Sequence, residues 1–123
     1  MQLRLNENKT VEVKFGVGFV RELDKNHPLE SRGMKLGMAL SVKIPEMLGG
    51  DVASLSDVLY AATFLEKERP TQTEIDNFID EHEDIEALFD EVIKALEESN
   101  AGKRLMKKHN QNLEAAMKEL EEA

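Results

Sequence analysis

The side chains best placed to do chemistry lie between Glu74 and Glu98, where eleven carboxylates accompany a single basic residue, Lys94, for a local net charge of −10. Such a run suits cation binding, general acid/base catalysis or attraction of a basic partner. Asp76, Asp80, Glu81, His82, Glu83 and Asp84 are rich in potential ligands, yet they lack the alternating spacing and central glycine of a calcium loop. His82 has no histidine four residues away, so the helical zinc-protease pattern is missing too. A pair such as Asp80 and Asp84 would need a pocket that raises one pKa before it could pass protons, and an exposed acidic helix offers none. Two readings of the run stand: the solvated outer face of helices that bury an apolar stripe, or a docking surface for a basic partner, with Asp76, Asp80, Glu83, Glu86 and Asp90 as its candidate residues.

Elsewhere the groupings that catalysis needs are incomplete. No serine sits in a nucleophile-elbow pattern, and Gly16-Val17-Gly18 falls short of both a dinucleotide fingerprint and a phosphate loop. Those glycines are expected to relax a corner between strand and helix. His27 adjoins Pro28 at a helix end, and His109 falls on a seam flanked by polar residues. The absence of cysteine removes disulfides, thiolate metal sites and a thiol nucleophile, and it fits a reducing compartment. The chain therefore reads as a binding protein and not an enzyme, with no catalytic residues, no cofactor and no metal.

Its charge narrows the partners. Sixteen basic against 25 acidic side chains leave a formal net charge of −9, which opposes the counterion release that drives nucleic-acid binding. No apolar run is long enough to cross a membrane, and the start of the chain lacks the basic-then-apolar order of a signal peptide. With five Phe, one Tyr and no Trp, the core must come from Leu, Val, Ile and six Met, which pack adaptably.

The elements that would position these surfaces are mainly helical, behind a small β-hairpin. Gln2–Leu5 and Val11–Phe15 alternate apolar and polar, with Leu3, Leu5, Val11, Val13 and Phe15 on one side and a turn at Asn6-Glu7-Asn8-Lys9. A hairpin alone is marginal, so it must lie on the helices or pair its edge with another chain. Phe19, Val20 and Leu23 then recur at helical spacing up to His27-Pro28. The spacing predicts a second helix from about Gly33, with Leu36, Leu40, Ile44, Met47 and Leu48 on one stripe and Pro45 either kinking it or opening a new turn. Gly49-Gly50-Asp51 combines a left-handed stop with a new N-cap, launching a third helix with Leu55, Val58, Leu59, Ala62 and Leu65 facing inward.

Thr71 with Glu74 three residues on is a capping box ahead of Ile75, Phe78 and Ile79. A fifth helix follows over Asp84–Glu98 on the stripe Ile85, Leu88, Phe89, Val92, Ile93 and Leu96, closed by Asn100-Ala101-Gly102. Residues 103–123 place Met106, His109, Leu113, Ala116 and Leu120 at alternating three- and four-residue steps, with Leu105 and Met117 beside the seam. About two heptads suit either a partner helix or packing on the chain's own body. The expected architecture is α+β: one domain spanning residues 1–123, divided into a hairpin at 1–15, a helical core at 16–98 and a C-terminal amphipathic helix at 103–123, with five to six short helices in all.

Three blocks carry a resemblance to a known family. They are Val11-Glu12-Val13-Lys14-Phe15-Gly16-Val17-Gly18-Phe19-Val20-Arg21-Glu22-Leu23; then Gly50-Asp51 with Leu55-Ser56-Asp57-Val58-Leu59-Tyr60-Ala61-Ala62-Thr63; and Arg69-Pro70-Thr71-Gln72-Thr73-Glu74-Ile75-Asp76 with Asp84-Ile85-Glu86-Ala87-Leu88-Phe89-Asp90-Glu91-Val92. In order and coverage, over roughly residues 1–98, they resemble the tail assembly chaperones of long-tailed, siphovirus-type phages and prophages of Gram-positive bacteria. The resemblance implies a non-catalytic protein of the host cytoplasm, absent from the mature virion, that coats the tape measure protein and helps recruit tail tube subunits. It also implies self-assembly into spiral or ring-like oligomers and, often, a second frameshifted product, of which this chain resembles the short form.

Self-association is expected along the hairpin edge, at Leu3, Leu5, Val11 and Val13, and along the last helix, at Leu105, Met106, Leu113, Met117 and Leu120. A competing class of function starts from the acidic run alone: a DNA mimic that occupies the groove of a basic DNA-binding protein.

Overall fold

The computed structural model describes residues 1–122, with the side chains of residues 30, 31, 35 and 36 outside the description. Strands β1 (Gln2–Asn6) and β2 (Lys9–Glu12) pair antiparallel, with Leu3 opposite Val11 and Arg4 opposite Thr10. The turn is held locally, since the Asn8 backbone N–H donates to Asn6 Oδ1 at 2.8 Å. The ladder ends at Glu12 and not at Phe15 as the alternation predicts. Beyond it the backbone pairs with other parts of the chain, Val13 N–H with the Met1 carbonyl at 2.9 Å and Lys14 N–H with the Ala62 carbonyl at 3.0 Å. These bonds tie the hairpin to the end of a central helix.

Helix α1 (Val17–Asn26) follows, burying Phe19 and Leu23. Between it and the next helix the structure departs from the predicted pattern. Residues read as the start of a helix from Gly33 form a second hairpin, β3 (Leu29–Ser31) and β4 (Met34–Leu36), with Ser31 opposite Met34. Its two-residue turn has Arg32 at φ 52° and Gly33 at φ 78°, the left-handed pair that a tight hairpin needs and a helix forbids. The predicted inward stripe also included Leu36, whose side chain lies outside the described residues.

Helix α2 (Ala39–Leu48) starts only where Asp24 of α1 reaches across, its Oδ1 accepting from Ala39 N–H at 3.1 Å. That cap comes from 15 residues away, so no signal within the segment marks the boundary. Pro45 lies inside α2, which runs continuously past it, and Leu40, Ile44 and Met47 are buried. Leu48, predicted on the same stripe, is exposed instead.

The turn into α3 (Val52–Ala61) follows the predicted chemistry. Gly50 has φ 90°, and Asp51 accepts from Ser54 N–H at 3.0 Å. Almost every residue from Ser54 to Thr63 is buried or half-buried, so α3 is the element around which α1, α2 and α4 pack. Its buried polar groups have partners: Thr63 Oγ1 donates to the Tyr60 carbonyl at 2.7 Å, and Ser56 Oγ donates to Asp76 while accepting from Gln72 Nε2 at 2.6 Å. Leu65, predicted to face inward, is exposed because α3 ends at Ala61 and the chain turns before reaching it.

Two contacts lock this region. Gly18 is inside α1, not at the corner, and a Cβ there would lie 2.3 Å from the Phe64 ring, so the glycine serves close packing. Arg69 spans the loop after α3, donating to Glu22 Oε1 at 2.9 Å and to the Tyr60 carbonyl at 3.1 Å, with its guanidinium 4.0 Å from the centre of the Tyr60 ring.

Helix α4 (Gln72–Asp80) opens on the full capping box of Thr71 and Glu74, and α5 (Ile85–Glu98) on Asp84, which accepts from Ala87 N–H at 3.1 Å. After α5, Ser99 Oγ donates to the Leu96 carbonyl and accepts from Gly102 N–H at 2.9 Å, turning the chain into α6 (Lys103–Glu122). The predicted span of this last helix reaches residue 123, which lies outside the described residues. Among the described residues the architecture is thus mainly helical, six helices behind an N-terminal hairpin, with a second small hairpin between α1 and α2.

Gly18→Ala should destabilise the fold by about 1–3 kcal/mol, because the added methyl must displace the Phe64 ring; urea unfolding measures it, and an unchanged midpoint would mean the ring moves freely. Thr71→Ala should cost about 1 kcal/mol through loss of the cap, read in the same assay.

Glu74 supplies a pH dependence. The backbone hydrogen bond from Thr71, and then Lys9 at 3.2 Å, hold its carboxyl below its ordinary value of 4.5. A lowered acid stabilises the fold above its unfolded pKa and stops doing so as pH falls through the folded one. Glu74→Gln should therefore lower the unfolding midpoint at neutral pH, with the gap to the parent closing in acid.

Candidate partner-binding surfaces

The capping box and the Asp84 cap fix where α4 and α5 begin, and so which way their charges point. Ile75 and Ile79 of α4, and Leu88, Phe89, Val92 and Leu96 of α5, turn into the core. Asp76, Asp80, Glu83, Glu86 and Asp90 are left exposed, the first two on α4 beside α3, Glu83 in the turn between α4 and α5, and Glu86 and Asp90 on α5. Asp76 is held by Ser56 Oγ, and it shares with Val52, Ala53, Ile79 and Asp80 a shallow recess of about 280 Å³. This is an open, negatively charged surface with an apolar floor. Among the described residues no group of three or more His, Asp or Glu side chains could hold a metal ion.

The histidines are also placed. His27 Nε2 lies 3.6 Å from Asp57 Oδ1, beside the 3.0 Å ion pair of Lys43 with the same carboxylate, so it belongs to a junction between α1, α2 and α3. His82 stands edge-on to Phe78 and accepts from Asp84 N–H at 3.1 Å, in the turn between α4 and α5. His109 lines a groove between α2 and α6.

That groove has a volume of about 220 Å³ and is walled by Met38, Ser41, Ile44 and Pro45 on one side and Leu105, Lys108, His109 and Asn112 on the other. It is smaller than the roughly 300–1,000 Å³ of sites that enclose small ligands, and its lining is half apolar and half polar. Met38 and Val42, one helical turn apart, extend it as an exposed apolar face on α2. Pro45 adds a polar feature, since it has no N–H to offer the Ser41 carbonyl one turn back. Periodicity does not mark this face: Val42 lies off the buried stripe, and Met38 precedes a helix whose start is set by Asp24.

The residues predicted for self-association separate into two groups. Leu3, Val11, Val13 and Met106 are buried in the chain's own core, with Leu5 and Leu105 half-buried against it. The apolar face of the hairpin is therefore closed to another chain, and its backbone edge and its exposed side chains at Gln2, Arg4, Thr10 and Glu12 are what it presents. Leu113, Met117 and Leu120 are 51%, 56% and 77% exposed, and every residue from Asn110 to Glu122 is exposed. Met106 and this trio occupy one face of α6, so the stripe that anchors the helix to the body continues past it with nothing from its own chain to cover it.

The charges of α6 are inverted with respect to its dipole. Lys103, Arg104, Lys107 and Lys108 crowd its first turns, while Glu114, Glu119, Glu121 and Glu122 outnumber Lys118 in its outer half. The positive end of a helix dipole favours acids and the negative end favours bases, so the charges in the terminal turns, Lys103 and Arg104 at one end and Glu119, Glu121 and Glu122 at the other, forgo about 0.3–1 kcal/mol apiece within a lone helix.

No helix among the described residues is long and apolar enough to cross a membrane. No curated protein and no solved structure matches the chain. Residues 2–111 match the family model described as phage tail assembly chaperone protein, a stretch that takes in the N-terminal hairpin, α1 to α5 and α6 up to the point where its burial ends. By that match over nearly its whole length, the chain belongs to the phage tail assembly chaperone family.

Proposed function

We propose that this chaperone of tail assembly acts by holding the tape measure protein and helping to bring tail tube subunits to it, without making or breaking a covalent bond. The observation that supports this most is the division of its apolar side chains: the core closes at Met106, yet the α2–α6 groove and the α6 trio stay open to solvent. Exposed apolar surface flanked by charge is what a protein that grips other polypeptides needs. A long, partly apolar scaffold self-associates when bare, and an abundant small partner covering it keeps it soluble by mass action.

The acidic face of α4 and α5 would take basic segments of the same clients, relieving the self-repulsion of its carboxylates. Weak contacts of this kind become effective when several copies act along one scaffold, so self-association into an oligomer, a spiral or ring included, belongs to the reading. The work would be done in the cytoplasm of the infected host, with the chaperone leaving before the virion is complete.

Co-expression with the tape measure protein from the same phage should keep that protein in the soluble fraction, while an unrelated acidic protein should not; equal recovery with both would contradict the proposal. Neutralising Asp76, Asp80, Glu83, Glu86 and Asp90 together should weaken client capture several-fold at low salt and little at high salt, where exposed charges are already screened. Capture indifferent to these changes would remove the acidic face from the account.

A further inference from the structure

We infer that the inner half of α6 is a docking ridge for a short acidic segment of another protein, held by Lys103, Arg104, Lys107 and Lys108. The inference rests on the reading of the chain as a client-holding chaperone only for the kind of molecule that carries the segment. It assigns a surface opposite in charge to the α4–α5 face.

The ridge is set by how α6 meets the body. Met106 is buried and Leu105 half-buried, which fixes the rotation of the helix in its first turns. At 100° per residue, Lys103, Lys107, Gln111, Arg104 and Lys108 then fall within a sector about 140° wide, with Leu105 and Met106 on the opposite side. The sector therefore points away from the core. All five of its side chains are exposed, and they outline an open recess of about 630 Å³.

Three features make this cluster unfavourable to the chain alone. Its cations stand at the positive end of the helix dipole, where acids are favoured. Lys103 and Lys107, and likewise Arg104 and Lys108, are like charges four residues apart, which repel across one turn. Lys9, Lys43 and Arg69 each reach a carboxylate, whereas among the described residues none of the four ridge cations forms an ion pair, in a chain with 25 acidic side chains. The carboxylates of a partner relieve all three at once.

The ridge also limits the length of its occupant. From Lys103 to Lys108 it runs about 8 Å along the helix. Glu97 and Glu114 share a recess with Lys103 and Lys107 on one flank, and taking the four cations from the formal net charge of −9 leaves −13 on the rest of the chain. A nucleic acid, charged about every 1.7 Å along a duplex, would run off both ends of the ridge onto carboxylates. A protein segment with its acids grouped within about two helical turns matches the ridge and stops there.

The probes are a labelled alanine-based peptide with glutamates one helical turn apart, its glutamine counterpart, and labelled single-stranded and duplex DNA. Fluorescence anisotropy with the full chain at low salt should show the glutamate peptide bound in preference to the other three, and released as salt rises. Lys103→Gln/Arg104→Gln/Lys107→Gln/Lys108→Gln should weaken that binding roughly tenfold or more. The matched variant Lys14→Gln/Arg21→Gln/Lys25→Gln/Lys67→Gln removes four exposed cations elsewhere and has the same net charge. It should keep the peptide and have a thermal midpoint no higher than that of the ridge variant, which sheds the repulsion and the clash with the dipole.

A ridge variant that unfolds below the matched one would make the cations structural and overturn the proposal. So would equal loss of the peptide in both variants, no binding by the parent chain, or DNA bound more tightly than the peptide. The ridge variant keeps its acidic α4–α5 face, so adding it in excess to the bound peptide shows whether a second copy competes. Undisturbed binding supports the proposal, and displacement would give the ridge to that face and overturn it. Solubilisation of the tape measure protein is scored separately: a parent chain that binds the glutamate peptide and fails to protect that protein refutes the client-holding reading and leaves the ridge in place.

Discussion

Burial of α3 is the constraint on which the rest of this structure depends. A helix sunk on nearly every side needs covering from several directions, and here α1, α2 and α4 each supply a wall while the N-terminal hairpin is tied to its end through Lys14 and Ala62. Each fully buried Leu, Val or Phe along these contacts contributes roughly 1.5–3 kcal/mol. The polar groups that go under with α3 are short side chains with partners close by. Ser56 meets Asp76 and Gln72, and Thr63 meets its own helix. Gly18 and Arg69 are the adjustments that let Phe64 and Tyr60 close the remaining side.

A core built this way buries or half-buries most of the apolar residues of the first 106 positions, with Val17, Met34, Met38, Val42, Leu48, Val52 and Leu65 left exposed, and so determines what remains for recognition. The surfaces left over are a negatively charged face on α4 and α5, a mixed apolar and polar groove between α2 and α6, and an α6 that runs past the body with its stripe uncovered. All three can be covered by another polypeptide, and they lie on the rim, where a client or a second copy can reach them without disturbing α3.

Where one period or one cap sufficed, the sequence was easy to read. The Thr71–Glu74 box, the Gly50-Asp51 stop and start, and the stripe of α5 each depend on residues within one or two turns of one another, and each is found where its pattern placed it. The second hairpin was hidden because Leu36 and Leu40 happen to stand four apart, and because a turn through Arg32 and Gly33 has only one glycine to announce it. The start of α2 was hidden for a different reason, its cap being Asp24 of another helix. Leu48 and Leu65 show the limit of reading a face from spacing alone, since both continue a buried stripe after its neighbours have ended. The α6 seam was legible, but the burial of Met106 and the exposure of Leu113 depend on where the body stops, and periodicity carries no such information.

The central claim is that α3 forms a closed core while the outer half of α6 waits for another protein. Amide hydrogen exchange tests this residue by residue. At dilution, amides of Leu55 to Ala61 should exchange only through global unfolding, and those of residues 111–122 should exchange fast, since a stretch of that length gains little helical stability alone. Raising the concentration of the chain, or adding the tape measure protein, should slow the second set and leave the first unchanged. Protection of residues 111–122 equal to that of α3 in the dilute, isolated chain would contradict the account.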